Sequence, residues 1–186
     1  ALPEKQNVLL IGGGRGNMPL TYIAKILKKR LCNITFFAGY KTTQNIVCHD
    51  LMAKNCHQLI YAIQDGTKPQ KLAKNCQIFH GNIIDAIKNY DESKLAKIDF
   101  IFTIGSENMM HEVAKLRQDD LKNILKTDNI GISSLNSPMQ CMMKGVCSQC
   151  LTKKIDCKTK KSSYFCSCQN QDQSLDEVCF DWLRGR

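Results

Sequence analysis

A short apolar run followed by a cluster of glycines constrains this sequence more than any other feature. Residues 7–11 (NVLLI) form a nearly continuous apolar run, as expected of a strand buried on both faces of a parallel sheet. Residues 12–16 (GGGRG) form the turn. Residues 21–30 (TYIAKILKKR) then place apolar side chains and lysines on opposite faces of a helix. The chain therefore opens with a strand, a glycine turn and an amphipathic helix.

The rest of the sequence repeats this alternation up to residue 133. The predicted strands are 34–37, 58–63, 98–104 and 129–133, and the predicted helices are 44–54, 82–90 and 107–125. Because parallel neighbours need crossover connections, the alternation predicts an α/β fold with a doubly wound parallel sheet. Pro138 is taken to close this domain, which gives a nucleotide-binding domain over 1–136 and a Cys-rich tail over 137–186.

The glycine turn has the composition that phosphate binding requires. Glycines permit positive φ and let backbone N–H groups approach a pyrophosphate, and the following helix points its positive end at the phosphates. Pro19 suits the first turn of that helix because a proline has no N–H to leave unsatisfied. Tight turns from strand to helix also use glycine for purely structural reasons, but the position of this turn favours a nucleotide site.

The end of the second strand lacks the acidic residue that usually holds a ribose 2′-hydroxyl. Tyr40, Lys41 and Thr42 follow that strand instead, which weakens a standard NAD site and disfavours a methyltransferase. Lys41 and Arg15 could meet a 2′-phosphate and favour NADPH, although an exposed lysine at a strand end is as often merely solvated. The choice between NADH and NADPH stays open.

Seven of the eleven cysteines fall in the last quarter of the chain, which indicates a metal site. Cys141, Cys147, Cys150 and Cys168 approach the spacing of plant-type 2Fe-2S proteins, with one extra residue in the first gap. Cys147, Cys150, Cys166 and Cys168 could alternatively form a tetrahedral zinc site. Spacing alone does not separate these alternatives. Two more cysteines of the tail fit neither pattern and are predicted to be spare thiols: Cys157 and Cys179.

Composition narrows the class of protein. The net charge of +9 makes nucleic acid a minor alternative partner. The dense basic stretch Lys153–Lys161 lacks interleaved aromatic residues, however, and is typical of a solvated basic face. No apolar run approaches the ~18 residues of a membrane span, and residues 1–7 do not resemble a signal segment. We expect a soluble, cytoplasmic protein in a reducing compartment. No arrangement of residues predicts hydrolytic or nucleophilic chemistry, and catalytic residues remain unassigned.

The sequence contains four motifs whose order is far more specific than any one motif alone. They are GGGRGNMPL, AGYKT, TIGSENMM and the tail PMQCMMKGVCSQC with YFCSCQNQDQ. In them the chain resembles the electron-transfer subunit family of dihydroorotate dehydrogenase and NADH-dependent ferredoxin oxidoreductases, and in particular the C-terminal region of large bacterial glutamate-synthase-like oxidoreductases. The resemblance implies a ferredoxin-reductase-type fold and electron flow from NAD(P)H through FAD and a 2Fe-2S cluster to a partner dehydrogenase or synthase. Its order of motifs spans nearly the whole chain.

The resemblance also implies roles for individual residues. The residues matched to the pyrophosphate loop are Gly12, Gly13, Gly14, Gly16 and Pro19, with Arg15 and Asn17 between them. The residues matched to the adenosine end are Tyr40, Lys41 and Thr42, and those matched to the nicotinamide side are Gly105, Ser106 and Met109. The cluster ligands that it implies are Cys141, Cys147, Cys150 and Cys168, which favours iron–sulfur over zinc.

Two departures from the family pattern shape the expected activity. Related reductases often place cysteine and proline around the nicotinamide-side glycine, where this chain has Ile104 and Ser106, so no thiol would assist hydride transfer. The family's FAD domain precedes the glycine strand, whereas six residues precede Asn7 here. We expect the flavin to come from an upstream segment or another chain, and the isolated chain to be a poor catalyst.

Overall fold

The computed structural model describes residues 2–67, 72–136 and 140–185. Strands and helices largely alternate through residues 7–134. The strands are β1 (Asn7–Gly13), β2 (Asn33–Tyr40), β3 (Gln58–Ile63), β4 (Cys76–His80), β5 (Phe100–Ile104), β6 (Ile130–Ser134), β7 (Leu151–Ile155), β8 (Ser162–Cys166) and β9 (Asp172–Ser174). The helices are α1 (Asn17–Lys29), α2 (His49–Asn55), α3 (Ile83–Lys88), α4 (Glu92–Leu95), α5 (Glu107–Gln118) and α6 (Phe180–Arg184).

Seven strands form one sheet in the order β4-β3-β2-β1-β5-β6-β9. The first six are parallel to their neighbours, and β9 joins β6 antiparallel at the edge. The order reverses at β1, since β2 lies on one side of it and β5 on the other. This is the doubly wound arrangement that the alternating sequence predicts, and it opens a crevice at the carboxyl ends of the central strands.

The core lies on both faces of the sheet. In β1, Leu9 and Ile11 belong to an apolar cluster with α3 and α5, and Val8 and Leu10 belong to a second cluster with α1. All four side chains are buried. Because side chains alternate along a strand, a strand covered on both faces must be apolar throughout, which explains the continuous run that opens the sequence.

Two predicted helices are longer in the sequence pattern than in the structure. The helix predicted over 44–54 begins only at His49, because Cys48 adopts a left-handed conformation with φ of 57°. The helix predicted over 107–125 ends at Gln118, since Asp119 leaves the helical region with φ of −103° and ψ of −85°. Apolar side chains at Leu121 and Leu125 continue the pattern, but they reach the core from turns.

The tail contributes both a hairpin and part of the main sheet. Strands β7 and β8 pair antiparallel as a separate two-stranded sheet. Beyond them, β9 pairs with β6, and Leu175, Val178, Phe180 and Leu183 are buried in the same cluster as Leu9. Residues 137–139, where Pro138 was taken to close the first domain, lie outside the described residues.

A membrane-spanning helix would need both length and sustained apolar character. No helix in the described part of the chain has both properties.

Candidate nucleotide groove and thiol cluster

The glycine turn joins β1 to α1 at the crevice where the strand order reverses. Gly14 has φ of +53°, in the left-handed region, and a Cβ there would meet no other described residue within 4 Å. A Cβ on Gly16 would lie 2.2 Å from the carbonyl oxygen of Ile104. One glycine therefore leaves open space beside the turn, whereas the other allows α1 to approach β5.

The residues that the resemblance assigns to the nicotinamide side lie against this turn. A Cβ on Gly13 would lie 2.5 Å from Sδ of Met109, and a Cβ on Gly105 would lie 2.5 Å from Cε of Met109. Ser106 caps α5 by accepting a hydrogen bond from the backbone N–H of Met109 at 3.2 Å. The structure thus brings together Gly13, Gly105, Ser106 and Met109, although 92 positions separate the first two in sequence.

A groove of about 620 Å³ opens beside these residues. Its walls include Gly13 and Gly14, Tyr40 at the end of β2 with Lys41 after it, and Met109 of α5 with its N-cap residue Ser106. A larger cleft of about 890 Å³ lies between the end of α5 and the tail, away from the glycine turn. We place the candidate nucleotide site in the smaller groove, because nucleotides bind at the carboxyl ends of the strands where their order reverses.

Seven of the predicted binding residues do not line the groove: Gly12, Arg15, Gly16, Asn17, Pro19, Thr42 and Gly105. Asn17 is buried, and its Nδ2 donates a hydrogen bond to the carbonyl of Gly39 at 3.2 Å, which ties α1 to β2. Thr42 hydrogen bonds Asn45 at 2.9 Å. Arg15 and Pro19 are exposed on the turn and on the first helical turn. Gly12 and Gly16 are likewise packing positions, since a Cβ on Gly12 would lie 2.0 Å from Oδ1 of Asn17.

Tyr40 differs from its neighbour Lys41 in what it can offer a ligand. Its side chain is 5% exposed, and burial raises the pKa of its hydroxyl, so the group stays protonated. The hydroxyl has no hydrogen-bond partner among the described residues, and neither does the buried Oδ1 of Asn17. Lys41 is exposed at the groove and is the cation on its wall.

Sequence reasoning missed the part of the groove that α3 supplies. Asn82, Ile83 and Asp85 line it, with Gln64 and Glu112 from other elements. Asn82 caps α3 by accepting from the backbone N–H of Asp85 at 2.9 Å. An asparagine three residues before an aspartate is a helix-start signal that locates such an N-terminus in sequence. The wall therefore carries two carboxylates beside one lysine.

The β7–β8 hairpin gathers the cysteines of the tail. Cys150 immediately precedes β7, Cys166 ends β8, and Leu151 pairs with Cys166 across the hairpin. Ser167 donates its backbone N–H to the carbonyl of Cys150 at 3.0 Å. As a result, the Sγ atoms of Cys150 and Cys168 lie 3.1 Å apart, although 18 positions separate them in sequence.

The thiols form two interacting pairs. Backbone N–H groups of Cys147 and Val146, with a smaller contribution from the Cys147 thiol, lower the pKa of Cys141 to about 6. Burial raises the pKa of Cys150, but hydrogen bonds from Cys168 outweigh burial and lower it. The hydrogen bond to Cys150 and, with a smaller effect, burial raise the pKa of Cys168 to about 11. One member of each pair is thus favoured as a thiolate, the form that binds metals.

The fifth thiol of the group, Cys166, lies close to both pairs. Burial and the neighbouring Cys150 raise its pKa, and smaller effects come from Cys141 and Cys147. Its Sγ lies 3.7 Å from the carbonyl of Gly145. Cys157 instead follows β7, where its Sγ lies 3.5 Å from the carbonyl of Asp176.

The two kinds of metal site require different arrangements of thiols. A single zinc ion requires four donors at about 2.3 Å around one point. Within the described residues, no three Cys, His, Asp or Glu side chains form such a set. A 2Fe-2S cluster instead takes four thiolates, two at each iron. Cys141 with Cys147 and Cys150 with Cys168 supply four thiols in two interacting pairs, which is the number and kind of donor that such a cluster takes.

Comparison with known proteins identifies relatives over most of the chain. The sequence is 30% identical over 153 residues to the dihydroorotate dehydrogenase B (NAD(+)) electron transfer subunit of Clostridium acetobutylicum, covering 82% of this chain and 49% of that protein. It is 28% identical over 148 residues to the probable subunit of the same name from Methanocella arvoryzae, covering 77% of this chain and 48% of that protein. The chain thus spans about half the length of these curated relatives. No protein-family model matches the sequence.

A solved structure shares the fold. The NADH-dependent reduced ferredoxin-NADP oxidoreductase, described in the context of flavin-based electron bifurcation, matches with a TM-score of 0.73 and 23% identity, over 100% of this chain and 59% of that chain. At this identity the likeness concerns the fold alone. The sequence relatives make the likeness more specific: over about four fifths of its length this chain is similar to dihydroorotate dehydrogenase B electron transfer subunits.

Proposed function

We propose that this chain is the NAD(P)H-binding and iron–sulfur part of an electron-transfer oxidoreductase. The observation that carries the proposal is the presence in one chain of a glycine-turn groove and a two-pair thiol cluster. Its relatives, which are named as electron transfer subunits, support the same class of function. In this proposal electrons pass from NAD(P)H through FAD to a 2Fe-2S cluster and then to a catalytic dehydrogenase or synthase.

The groove would bind the nucleotide through its backbone and shape. Gly14 leaves room for a pyrophosphate beside the start of α1, where backbone N–H groups and the helix dipole favour negative charge. Gly105 and Met109 would hold the nicotinamide end, since both contact the same glycine turn. Lys41 would meet the adenosine end, and the nearby carboxylates Asp85 and Glu112 leave the preference between NADH and NADPH undecided.

The thiol cluster would hold the iron. Cys141 and Cys147 would bind one iron, and Cys150 and Cys168 the other. FAD, when bound in the whole protein or complex, converts the two-electron hydride of NAD(P)H into single electrons that a cluster accepts. The role of this chain's residues is to position the nucleotide and to hold the cluster. The FAD-binding domain or chain and the acceptor subunit are its proposed partners.

Isothermal titration calorimetry with NADH and with NADPH tests the groove. Gly14→Leu should weaken binding strongly, because a side chain would enter the space beside the turn. Gly66→Leu is the matched control, since Gly66 also has positive φ and open space around it but lies outside the groove wall. Equal affinity of the Gly14→Leu variant and the control for both nucleotides would refute the site.

Metal analysis of anaerobically purified protein tests the cluster. We expect two irons and two acid-labile sulfides for each chain, with visible absorption. The second candidate, a zinc-stabilised nucleotide-binding module without redox chemistry, is favoured by the closeness of Cys166 to Cys150. One zinc for each chain, without sulfide, would establish that alternative.

A further inference from the structure

Two aromatic side chains, Tyr164 of β8 and Trp182 of α6, lie against each other at the surface of the tail. Their ring centroids are 5.4 Å apart and their ring planes are inclined at 67°, so the edge of one ring meets the face of the other. The two residues remain 53% and 38% exposed. Because rings in this arrangement do not stack face to face, the pair leaves ring faces open to solvent.

The β7–β8 hairpin brings lysines to this aromatic pair. Lys153 of β7 is directly opposite Tyr164 in the antiparallel register, so the two side chains share one face of the hairpin. Lys161 precedes Tyr164 by three residues, about 10 Å along an extended chain at about 3.3 Å for each residue. Lys158 and Lys160 lie in the turn between the strands and are exposed. Lysines therefore lie both beside the rings and at the turn of the hairpin.

The positive charge of the hairpin is only partly balanced by acidic residues. Asp156 is the single acidic residue in 151–166, which contains five lysines. Its carboxylate accepts hydrogen bonds from the backbone N–H groups of Lys158 and Thr159 at 2.9 and 2.6 Å. Of the five lysines, only Lys154 forms a salt bridge within the described part of the chain. The surface around the rings therefore attracts anions.

We propose that single-stranded nucleic acid binds at a basic aromatic surface of the tail, which comprises Lys153, Lys158, Lys161, Tyr164 and Trp182. Sites of this kind combine cations that follow the phosphate backbone with aromatic rings on which unpaired bases stack. The basic stretch of the sequence has no aromatic residue of its own, but the hairpin register and α6 place two rings beside it. Lysines alone would attract any anion, whereas open ring faces favour a ligand whose anionic backbone carries flat rings. This binding goes beyond the proposed function and does not depend on it.

The basic aromatic surface can be observed separately from the nucleotide groove. None of its five residues lines that groove. Trp182 is the only tryptophan of the chain, so intrinsic tryptophan fluorescence reports on this surface alone. An oligonucleotide that binds here should therefore change the fluorescence of Trp182, and NADH bound in the groove should not displace it.

The test is titration of the full chain with single-stranded oligothymidylate of about 12 nucleotides. Tryptophan fluorescence locates the site, and the anisotropy of a dye-labelled oligonucleotide gives the affinity at several salt concentrations, with and without excess NADH. A DNA duplex of the same length and inorganic polyphosphate are the comparison ligands. The bases of the duplex are paired and stacked within it, and polyphosphate has the negative charge without bases.

Two variants separate stacking from charge. Tyr164→Ala removes one ring, and Lys158→Gln/Lys161→Gln removes two cations. Tyr164→Phe retains the ring and loses only the hydroxyl. The matched controls, at exposed residues outside the tail, are Tyr22→Ala and Lys25→Gln/Lys97→Gln.

We expect oligothymidylate to quench Trp182 and to bind more tightly than the duplex or polyphosphate. Tyr164→Ala should weaken binding at least about fivefold, which is the lower end of the effect of losing one stacked base, without changing the salt dependence. Lys158→Gln/Lys161→Gln should reduce the slope of log affinity against log salt concentration by about 1.4, at about 0.7 for each phosphate contact. Tyr164→Phe and both controls should stay within about twofold of the parent affinity.

Unchanged fluorescence of Trp182 on binding would overturn the proposal, as would equal losses of affinity in Tyr164→Ala and Tyr22→Ala. Equal affinity for polyphosphate would show that charge alone acts, and would overturn it as well. Circular dichroism checks the folding of each variant. If Tyr164→Ala is unfolded, quenching of Trp182 in the parent and the salt slope of the lysine variant decide the outcome. A chain that fails these tests but binds NAD(P)H and iron leaves the proposed function standing.

Discussion

Replacing Gly16 by alanine should destabilise the fold much more than the same change two residues earlier. The Cβ of Gly16→Ala would lie 2.2 Å from the carbonyl oxygen of Ile104 and 2.6 Å from its carbonyl carbon. Real Cβ atoms essentially never come within 3.0 Å of another atom, so a shift of about 0.8 Å is needed. Both sides of the contact are backbone, and β1 and β5 are central strands, so neither side can move cheaply.

The expected magnitudes follow from these contacts. Overpacking of this kind lowers the free energy of unfolding by up to about 3 kcal/mol. In a chain of this length that corresponds to a fall in Tm of about 6–12 °C, at about 2–4 °C for each kcal/mol. The Cβ of Gly14→Ala would meet no described residue within 4 Å, so only the left-handed backbone is unfavourable. We expect the free energy of unfolding to fall by about 1 kcal/mol and Tm by about 2–4 °C.

Thermal unfolding followed by circular dichroism measures both variants. Gly66→Ala serves as the control for the cost of the backbone conformation, because Gly66 has φ of +72° and a Cβ there would meet no described residue within 4 Å. Gly14→Ala and Gly66→Ala should unfold at similar temperatures, and Gly16→Ala well below both. If Gly16→Ala unfolds within about 2 °C of the parent, the close packing of the glycine turn on β5 is refuted.

Three other predictions concern the thiols, the activity and the pH dependence. Cys141→Ser and Cys168→Ser should each abolish or badly perturb the iron–sulfur absorption, whereas Cys166→Ser should leave it nearly intact; loss of the metal in Cys166→Ser but not in Cys141→Ser would instead indicate zinc. The isolated chain should reduce dyes with NAD(P)H near the background rate and gain activity when an FAD-bearing segment is supplied. Robust oxidation of NAD(P)H by demonstrably flavin-free protein would contradict the proposed need for FAD. Burial raises the pKa of Asp99, but hydrogen bonds from Lys126 and the backbone of Asn7 outweigh it and lower the pKa. The stabilisation that ionised Asp99 provides is therefore present above about pH 4 and is lost as the pH falls through the lowered pKa. In urea unfolding at pH 3–6, Asp99→Asn should make the free energy of unfolding depend less on pH than the exposed control Asp128→Asn does.

The pattern of the sequence was sufficient for the fold class. The apolar run at 7–11 and the glycine turn predict a strand buried on both faces and a turn into a helix, and both are local consequences of side-chain burial and backbone freedom. The predicted strand over 58–63 matches β3 residue for residue. Helix ends were predicted less well, because single residues such as Cys48 and Asp119 leave the helical conformation without disturbing the apolar spacing.

Short strands at the sheet edges escaped sequence reasoning. β4 (Cys76–His80) is only partly buried, and so its side chains lack a clear apolar pattern. β9 has three residues, Asp172–Ser174, and pairs with β6 at the opposite edge. Such strands are determined by the hydrogen-bonding edge of an existing sheet rather than by their own sequence.

The candidate site divides in the same way between local and long-range causes. The amino-acid sequence by itself determined the types of residue that the chemistry needs, namely glycines after a strand and clustered thiols. Only the tertiary structure decided that Met109 packs on Gly13, that the Sγ atom of Cys150 lies 3.1 Å from that of Cys168, and that Gly16 packs against the backbone of Ile104. The physical reason is that conformation and burial pattern are set by near neighbours along the chain, whereas contacts between distant residues depend on the order and register in which the strands pair.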